Sequence, residues 1–285
     1  MITILYVILI QEMNKNMSMS IVPMMSIVPM MLMISLFINS PTKAEVPQDL
    51  FILAGQSNMA GRGGVVGRSW DGFVPHMCQP SPNILSLSAQ EYWVPAHEPL
   101  HSDIDFKKTC GVGPGMAFAN SVRSLGGSKI GVVGLVPCAV GGTKISEWAR
   151  GSVLYNQMVT RAKVGLREGG IIRAVLWYQG ESDTVNVEDA RAYKGRMEKL
   201  IADLRSDLDD PSLLIIQVAL ASGEGKYVDI VREAQLGINL PNVRTVDAKG
   251  LRTNIDHLHL TTMAEAHLGM MLARSFFDIF NRRDK

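Results

Sequence analysis

Charge of one sign is what this sequence most lacks. Its 28 Lys and Arg stand against 27 Asp and Glu, a net charge of +1. No run of like charge exceeds a few residues, so neither a basic face for nucleic acid nor an acidic, disordered tail is expected. Cysteine is also scarce. Cys78, Cys110 and Cys138 are the three, and no CxxC spacing occurs, which removes zinc-ribbon and thioredoxin readings. An odd count in an exported chain leaves at least one thiol unpaired. Cys78 and Cys110 share a loop-rich stretch and are candidates to pair. Cys138 ends an apolar run and reads as a small buried hydrophobe. Internal repeats are missing, and so is G-x-S-x-G, which disfavours the nucleophile elbow of the α/β-hydrolases.

What is present is core-forming. Of the 285 residues, 47% are hydrophobic and 19% charged, the balance of an ordinary globular chain. A domain of ~240 residues buries about 70% or more of its unfolded surface and needs no disulfide or metal staple. The first 48 residues stand apart. They are rich in Met, Ile and Ser, and Lys15 is the only charged residue between Asn14 and Pro41. The apolar run Met30–Ile38 stops at Asn39-Ser40-Pro41, and small residues lead to Ala44. This pattern reads as a secretory signal peptide. An uncleaved membrane anchor is the alternative, because the stretch from Ile21 is nearly long enough to span. Residues 49–285 then form the working domain, expected to be secreted and monomeric, with membrane contact only if the leader is retained.

Within that domain short apolar runs alternate with longer amphipathic stretches. Leu50–Ala54, Lys129–Pro137, Ile171–Tyr178, Leu213–Leu220 and Val243–Val246 are continuous rather than alternating, as strands buried on both faces are. Val187–Leu208 and Thr262–Phe280 read as helices, with Pro114–Leu125 and Val153–Arg167 as weaker ones. In the last helix Met263, Ala266, Met270, Ala273, Phe277 and Phe280 form the expected core stripe. The order predicts a three-layer α/β/α sandwich around a parallel sheet of about five strands. The long Gly61–Gly113 stretch breaks the rhythm. It is expected either to shape a cleft or to be disordered at its centre.

Four segments, each beside an expected strand end or the last helix, carry residues suited to acyl transfer. Ester hydrolysis needs a nucleophile, a base, a group that orients the base, and donors for the developing oxyanion. Gly55-Gln56-Ser57-Asn58-Met59-Ala60-Gly61 offers a serine at a strand exit, although Ser beside Gly and Asn also suits a plain turn or cap. Cys138-Ala139-Val140-Gly141-Gly142-Thr143 offers paired glycines able to present N–H groups to an anion. Trp177-Tyr178-Gln179-Gly180-Glu181-Ser182-Asp183 offers the Gln179 amide, with Glu181 and Asp183 as orienting or capping groups. Asp256-His257-Leu258-His259 places a carboxylate three residues before an imidazole, close enough to hold its tautomer. His259 is the base in this reading and His257 its rival. A metal reading of Asp256, His257 and His259 has no HExxH helix or Cys/His cluster behind it.

The blocks GQSNMAGRGG, CAVGGTKISEW, WYQGESD and DHLHLT together resemble the plant carbohydrate esterases related to sialate O-acetylesterase and to carbohydrate esterase family 6, in the SGNH hydrolase superfamily. The resemblance runs through essentially all of the chain after residue 48. It implies the α/β/α fold, no metal or organic cofactor, and an acetylated carbohydrate as substrate. It implies Ser57, His259 and Asp256 as a triad, and an oxyanion hole from the N–H of Ser57, an N–H at Gly141-Gly142, and the amide of Gln179. Gln56, Asn58 and Glu181 are supporting residues. Many SGNH hydrolases carry Gly-x-Asn-Asp where this chain has Gln179 with Gly-Glu, a change shared by the carbohydrate-esterase branch. A general carboxylesterase or lipase with the same triad, and an inactive carbohydrate-binding relative, are the alternatives. Trp148, Trp177 and Tyr178 are candidates for sugar stacking or for core packing.

Overall fold

The centre of the sheet is the stretch Asp49–Gly55, whose seven residues are all buried. So complete a burial arises only where helices cover both faces of a parallel strand. A computed structural model describes residues 46–283, with side chains to residue 280. Of the expected leader, residues 1–45 lie outside the described residues. Contacts divide the chain into Met1–Ala44 and Glu45–Lys285, and the second unit is described here.

In chain order the elements are β1 (Asp49–Gly55), α1 (Ser57–Ala60), β2 (Val65–Val66), β3 (Ser69–Trp70), β4 (Ile84–Leu87), β5 (Trp93–Pro95), α2 (Pro114–Gly126), β6 (Val133–Pro137), α3 (Val153–Gly165), β7 (Ile171–Tyr178), α4 (Val187–Asp207), β8 (Ile215–Ala219), α5 (Val228–Leu236), β9 (Val243–Asp247) and α6 (Thr262–Arg283). Seven strands form one sheet in the order β5-β4-β6-β1-β7-β8-β9. Every neighbouring pair is parallel except β4 with β5 at one edge. The chain leaves β1 toward the β4 and β6 side, then crosses to β7 on the other side. That reversal opens a crevice at the carboxyl ends of the central strands, the usual ligand position in such sheets.

Two helical layers cover the sheet. On one face Phe51 of β1 meets Phe118 of α2 and Phe276 of α6 edge-on, with ring centroids 4.8 and 5.2 Å apart. Gly269 lets α6 approach α2: a Cβ there would lie 2.4 Å from the Pro114 carbonyl. On the other face Trp177 of β7 meets Trp148 at 5.3 Å. There the Trp177 indole donates to the hydroxyl of Tyr193 in α4.

The expected sandwich is present, with two strands more than expected. Both extra strands, β4 and β5, lie in the long Gly61–Gly113 stretch and are only four and three residues long. Runs that short leave little periodicity to read. The same stretch holds the ribbon of β2 with β3 and a bridge between Gly63 and Val112, so it is built rather than irregular throughout. The expected run at Lys129–Pro137 is strand only from Val133, because Gly127–Lys129 makes a 3₁₀ turn. The nine-residue α5 was not foreseen. In α6 the buried face is wider than the expected stripe: Ala266, Ala273 and Phe277 are buried as expected, Leu268, Leu272 and Phe276 are buried beside them, and Met263 is 53% exposed. The acid Glu265 also lies on the buried face. Cys78, Cys110 and Cys138 are all free and buried, so the expected pairing of the first two does not form.

Candidate active site

β1 ends in a turn that only glycine permits. Gly55 has φ +128°, and a Cβ there would sit 2.1 Å from the carbonyl oxygen of Tyr178. The close approach lets the Gln56 N–H donate to that carbonyl at 2.8 Å. The next residue, Ser57, opens α1. First-turn N–H groups of a helix have no intrahelical acceptor. The Ser57 N–H has no acceptor among the described residues.

His259 arrives from the far end of the chain, on the loop between β9 and α6. Its Nε2 lies 2.9 Å from Ser57 Oγ, and its Nδ1 lies 2.7 Å from Asp256 Oδ2. The other Asp256 oxygen accepts the N–H groups of Leu258 and His259, each at 3.0 Å. Partial burial works against the Asp256 charge, but those two N–H groups and the imidazole hold its carboxyl below the usual range. An ionised carboxylate only accepts, so the proton belongs on Nδ1 and Nε2 keeps its lone pair for the serine hydroxyl. Both ring nitrogens of His259 are thereby engaged. His257 is exposed, at a φ of +56°.

The histidine loop is tied down by a few bonds. Asn58 Oδ1 accepts the Leu260 N–H at 2.9 Å, and its Nδ2 donates to Glu181 Oε1 at 2.7 Å. Ser222 Oγ donates to the Leu258 carbonyl at 2.5 Å, and the Asn254 N–H donates to the His259 carbonyl at 2.7 Å. The supporting residues Asn58 and Glu181 therefore belong to one chain of contacts, from the β7 loop through α1 to the loop of His259.

The loops after β6, β1 and β7 meet behind Ser57. Gln179 Nε2 donates to the Thr143 carbonyl at 2.8 Å and to Asp183 Oδ2 at 2.6 Å, and lies 3.2 Å from Gln56 Oε1. An amide nitrogen has two hydrogens. Here the structure corrects the expectation that Gln179 donates to an oxyanion: the side chain is fully buried and its donors are spent on the three loops. Gln56 Oε1 also accepts the N–H groups of Gly180 and Ser182. Burial pushes the Glu181 carboxyl up to about 7 and the Asp183 carboxyl up to about 6, against the hydrogen bonds that each accepts.

The two glycines after β6 differ. The Gly141 N–H donates to Asp105 Oδ2 at 3.1 Å. The Gly142 N–H has no acceptor among the described residues, and a Cβ on Gly142 would meet nothing within 4 Å. Trp148, Trp177 and Tyr178 are each at most 1% exposed, so they pack the core and do not stack on a ligand.

Sequence reasoning missed Arg62 and Asp105. They form a buried ion pair against the Gly141 turn. Arg62 lies inside the first block, and its signal was a lone charge among glycines. Asp105 has no signal, because the long loop around it carries no motif. Asn254 and Ser222 were missed for the same reason: each acts only through its place in space.

Comparison with known proteins accords with this arrangement. A sequence model of the carbohydrate esterases described as sialic acid-specific acetylesterases matches residues 47–278. A probable carbohydrate esterase of Arabidopsis thaliana is 56% identical over 240 residues, which cover 82% of this chain and 92% of the relative. A solved Arabidopsis thaliana protein is 55% identical with a TM-score of 0.80, covering 81% of this chain and 98% of that one. A carbohydrate acetylesterase from Xanthomonas citri shares the fold, with a TM-score of 0.55 at 20% identity over 80% of this chain and 56% of its own. The chain therefore belongs to the carbohydrate esterase family of the sialic acid-specific acetylesterases and is a hydrolase of ester bonds.

Proposed function

We propose that the protein removes O-acetyl groups from carbohydrates by a serine mechanism with an acetyl-enzyme intermediate. The observation that carries this reading is the unbroken line from Asp256 through His259 to Ser57, with contacts of 2.7 and 2.9 Å. His259 Nε2 takes the hydroxyl proton as Ser57 Oγ attacks the acetyl carbonyl. Asp256 holds the ring and stabilises the imidazolium. The tetrahedral oxyanion is received by the free N–H groups of Ser57 and Gly142. His259 then gives its proton to the departing sugar oxygen, and water repeats the cycle on the acetyl-enzyme. Gln179, with its donors spent, acts as a strut that fixes the three loops.

The acetyl donor in this reading is an acetylated oligosaccharide or wall polysaccharide such as xylan. Residues 1–48 carry the chain into the secretory pathway, and residues 49–285 work there as a monomer. The test is acetate release across a panel of acetylated polysaccharides, beside a series of aryl esters of rising acyl length. Acetyl esters should be preferred, and Ser57→Ala should lower the rate by on the order of 10⁴-fold or more. A variant that retained the rate, or a serine-directed phosphonate that failed to label Ser57, would overturn the mechanism. Preference for long acyl chains would assign a lipase instead.

A further inference from the structure

We infer that Arg62 and Asp105 are positioning residues for the oxyanion hole, holding the Gly141-Gly142 turn against the nucleophile. The inference rests on the serine mechanism proposed above.

Three observations converge. First, the carboxylate of Asp105 accepts the Gly141 N–H at 3.1 Å and pairs with Arg62 through the same oxygen. The peptide ahead of Gly141 is thereby fixed by a charged acceptor, a stronger tether than a neutral one. Its neighbour Gly142 is left with an unclaimed N–H. Second, the turn is wedged. A Cβ on Gly141 would lie 2.6 Å from Arg62 Nη2, 3.0 Å from Asp105 Oδ2 and 3.4 Å from Ser57 Cβ. The glycine thus lies in contact range of both the ion pair and the nucleophile, with no spare room. Third, Arg62 belongs to the nucleophile's own segment. It follows Gly61, which ends α1, and its Nη1 donates to the Gly61 carbonyl at 2.9 Å and to Cys110 Sγ at 3.3 Å. Its carbonyl lies 3.5 Å from Asn254 Nδ2, and Asn254 also holds the His259 loop.

One arginine therefore references three segments to each other: the serine turn, the glycine turn and the histidine loop. Its charge is 6% exposed and that of Asp105 is 3% exposed. Removing one partner of such a pair leaves a buried charge unmatched, whereas replacing both with apolar groups is often tolerated. That asymmetry separates a catalytic positioning role from a purely structural one. If the pair only supports the fold, restoring the fold restores the rate. If it positions the hole, the rate stays low in a folded protein.

The experiment compares Asp105→Asn, Arg62→Lys and the double variant Arg62→Met/Asp105→Leu with the parent chain, using an aryl acetate. Thermal unfolding and phosphonate labelling of Ser57 accompany the kinetics. An oxyanion donor acts in the transition state, so kcat should fall on the order of ten- to a hundredfold while KM changes little. The phosphonate forms a tetrahedral adduct, so its labelling rate should fall in step with kcat. Asp105→Asn keeps an acceptor for Gly141 and should be the mildest variant. The double variant should melt near the parent temperature and remain slow. A folded double variant with parental kcat would overturn the inference. Should the double variant not fold, a folded Asp105→Asn or Arg62→Lys with parental kcat and labelling rate would overturn it equally. Ser57→Ala in the same assay separates the two levels. If it is inactive while these variants are not, only the positioning role falls. If it is active, the serine mechanism itself falls.

Discussion

The two halves of the line from Ser57 through His259 to Asp256 are built differently. On the serine side, Gln56, Asn58, Gln179, Glu181 and Asp183 are fully buried and bonded to one another across the ends of β1 and β7. On the histidine side, Asp256 has a side chain 45% exposed and Ile255 is 87% exposed. That loop is held by a small set of hydrogen bonds to Asn58, Ser222 and Asn254. The sheet therefore fixes Ser57 by packing, while His259 is held by a small set of loop hydrogen bonds. Damage on the first side should appear in stability as well as rate. Damage on the second should appear almost wholly in rate.

The largest expected effect tests the base role proposed for His259. His259→Ala should lower kcat for acetyl ester hydrolysis on the order of 10⁴-fold or more, with an unchanged circular dichroism spectrum. A loss of folded signal in that variant would contradict the contrast between the halves. Next in size is Asn58→Ala, which cuts the tether to Leu260 and leaves Glu181 without its donor. It should lower kcat by roughly a hundredfold, because small misplacements of a catalytic group have effects of that size. Steady-state kinetics with rescue by Asn58→Ser would check the tether.

Gln179→Ala should act on both properties. It leaves the Thr143 carbonyl and the Asp183 carboxylate short of a buried donor, a loss of about 1–3 kcal/mol in chemical denaturation. A large fall in kcat with no change in stability would instead return the amide to the oxyanion. The smallest effect is in pH dependence. Burial pushes the Glu98 carboxyl up to about 8 and that of Glu181 up to about 7, and raises Glu265 well above its ordinary value. The folded chain then binds protons that the unfolded chain has released between pH 5 and 8. Stability should fall as pH rises through that window. The melting temperature should drop from pH 5 to pH 8, and Glu98→Gln should flatten the slope.

How much of this was legible in the sequence follows from what each feature depends on. The buried strands β1, β6, β7, β8 and β9 announce themselves as apolar runs. β4 and β5 do not, since one is four residues long and the other is an edge strand of three. The segments carrying Ser57, Gln179 and His259 were readable because glycines, strand ends and a local Asp-x-x-His spacing leave a mark on the chain. The spent amide of Gln179 was not, because it depends on Thr143 and Asp183 facing it across loops. Asp105 was invisible for the same reason. The stripe of α6 was read too narrowly: Ala266, Ala273 and Phe277 are buried as expected, but so is Glu265, and a charged residue argues for the opposite face.

The crowding at Gly55 has a consequence for divergence within such enzymes. Any side chain there would collide with the neighbouring strand's backbone, so the serine segment offers no place to write a new substrate preference. The Gly142 turn is no freer, because its φ of +72° strains any side chain although the space around it is open. Variation that retunes the enzyme for other esters should therefore accumulate in the long stretch before α2, leaving the immediate surroundings of Ser57 unchanged.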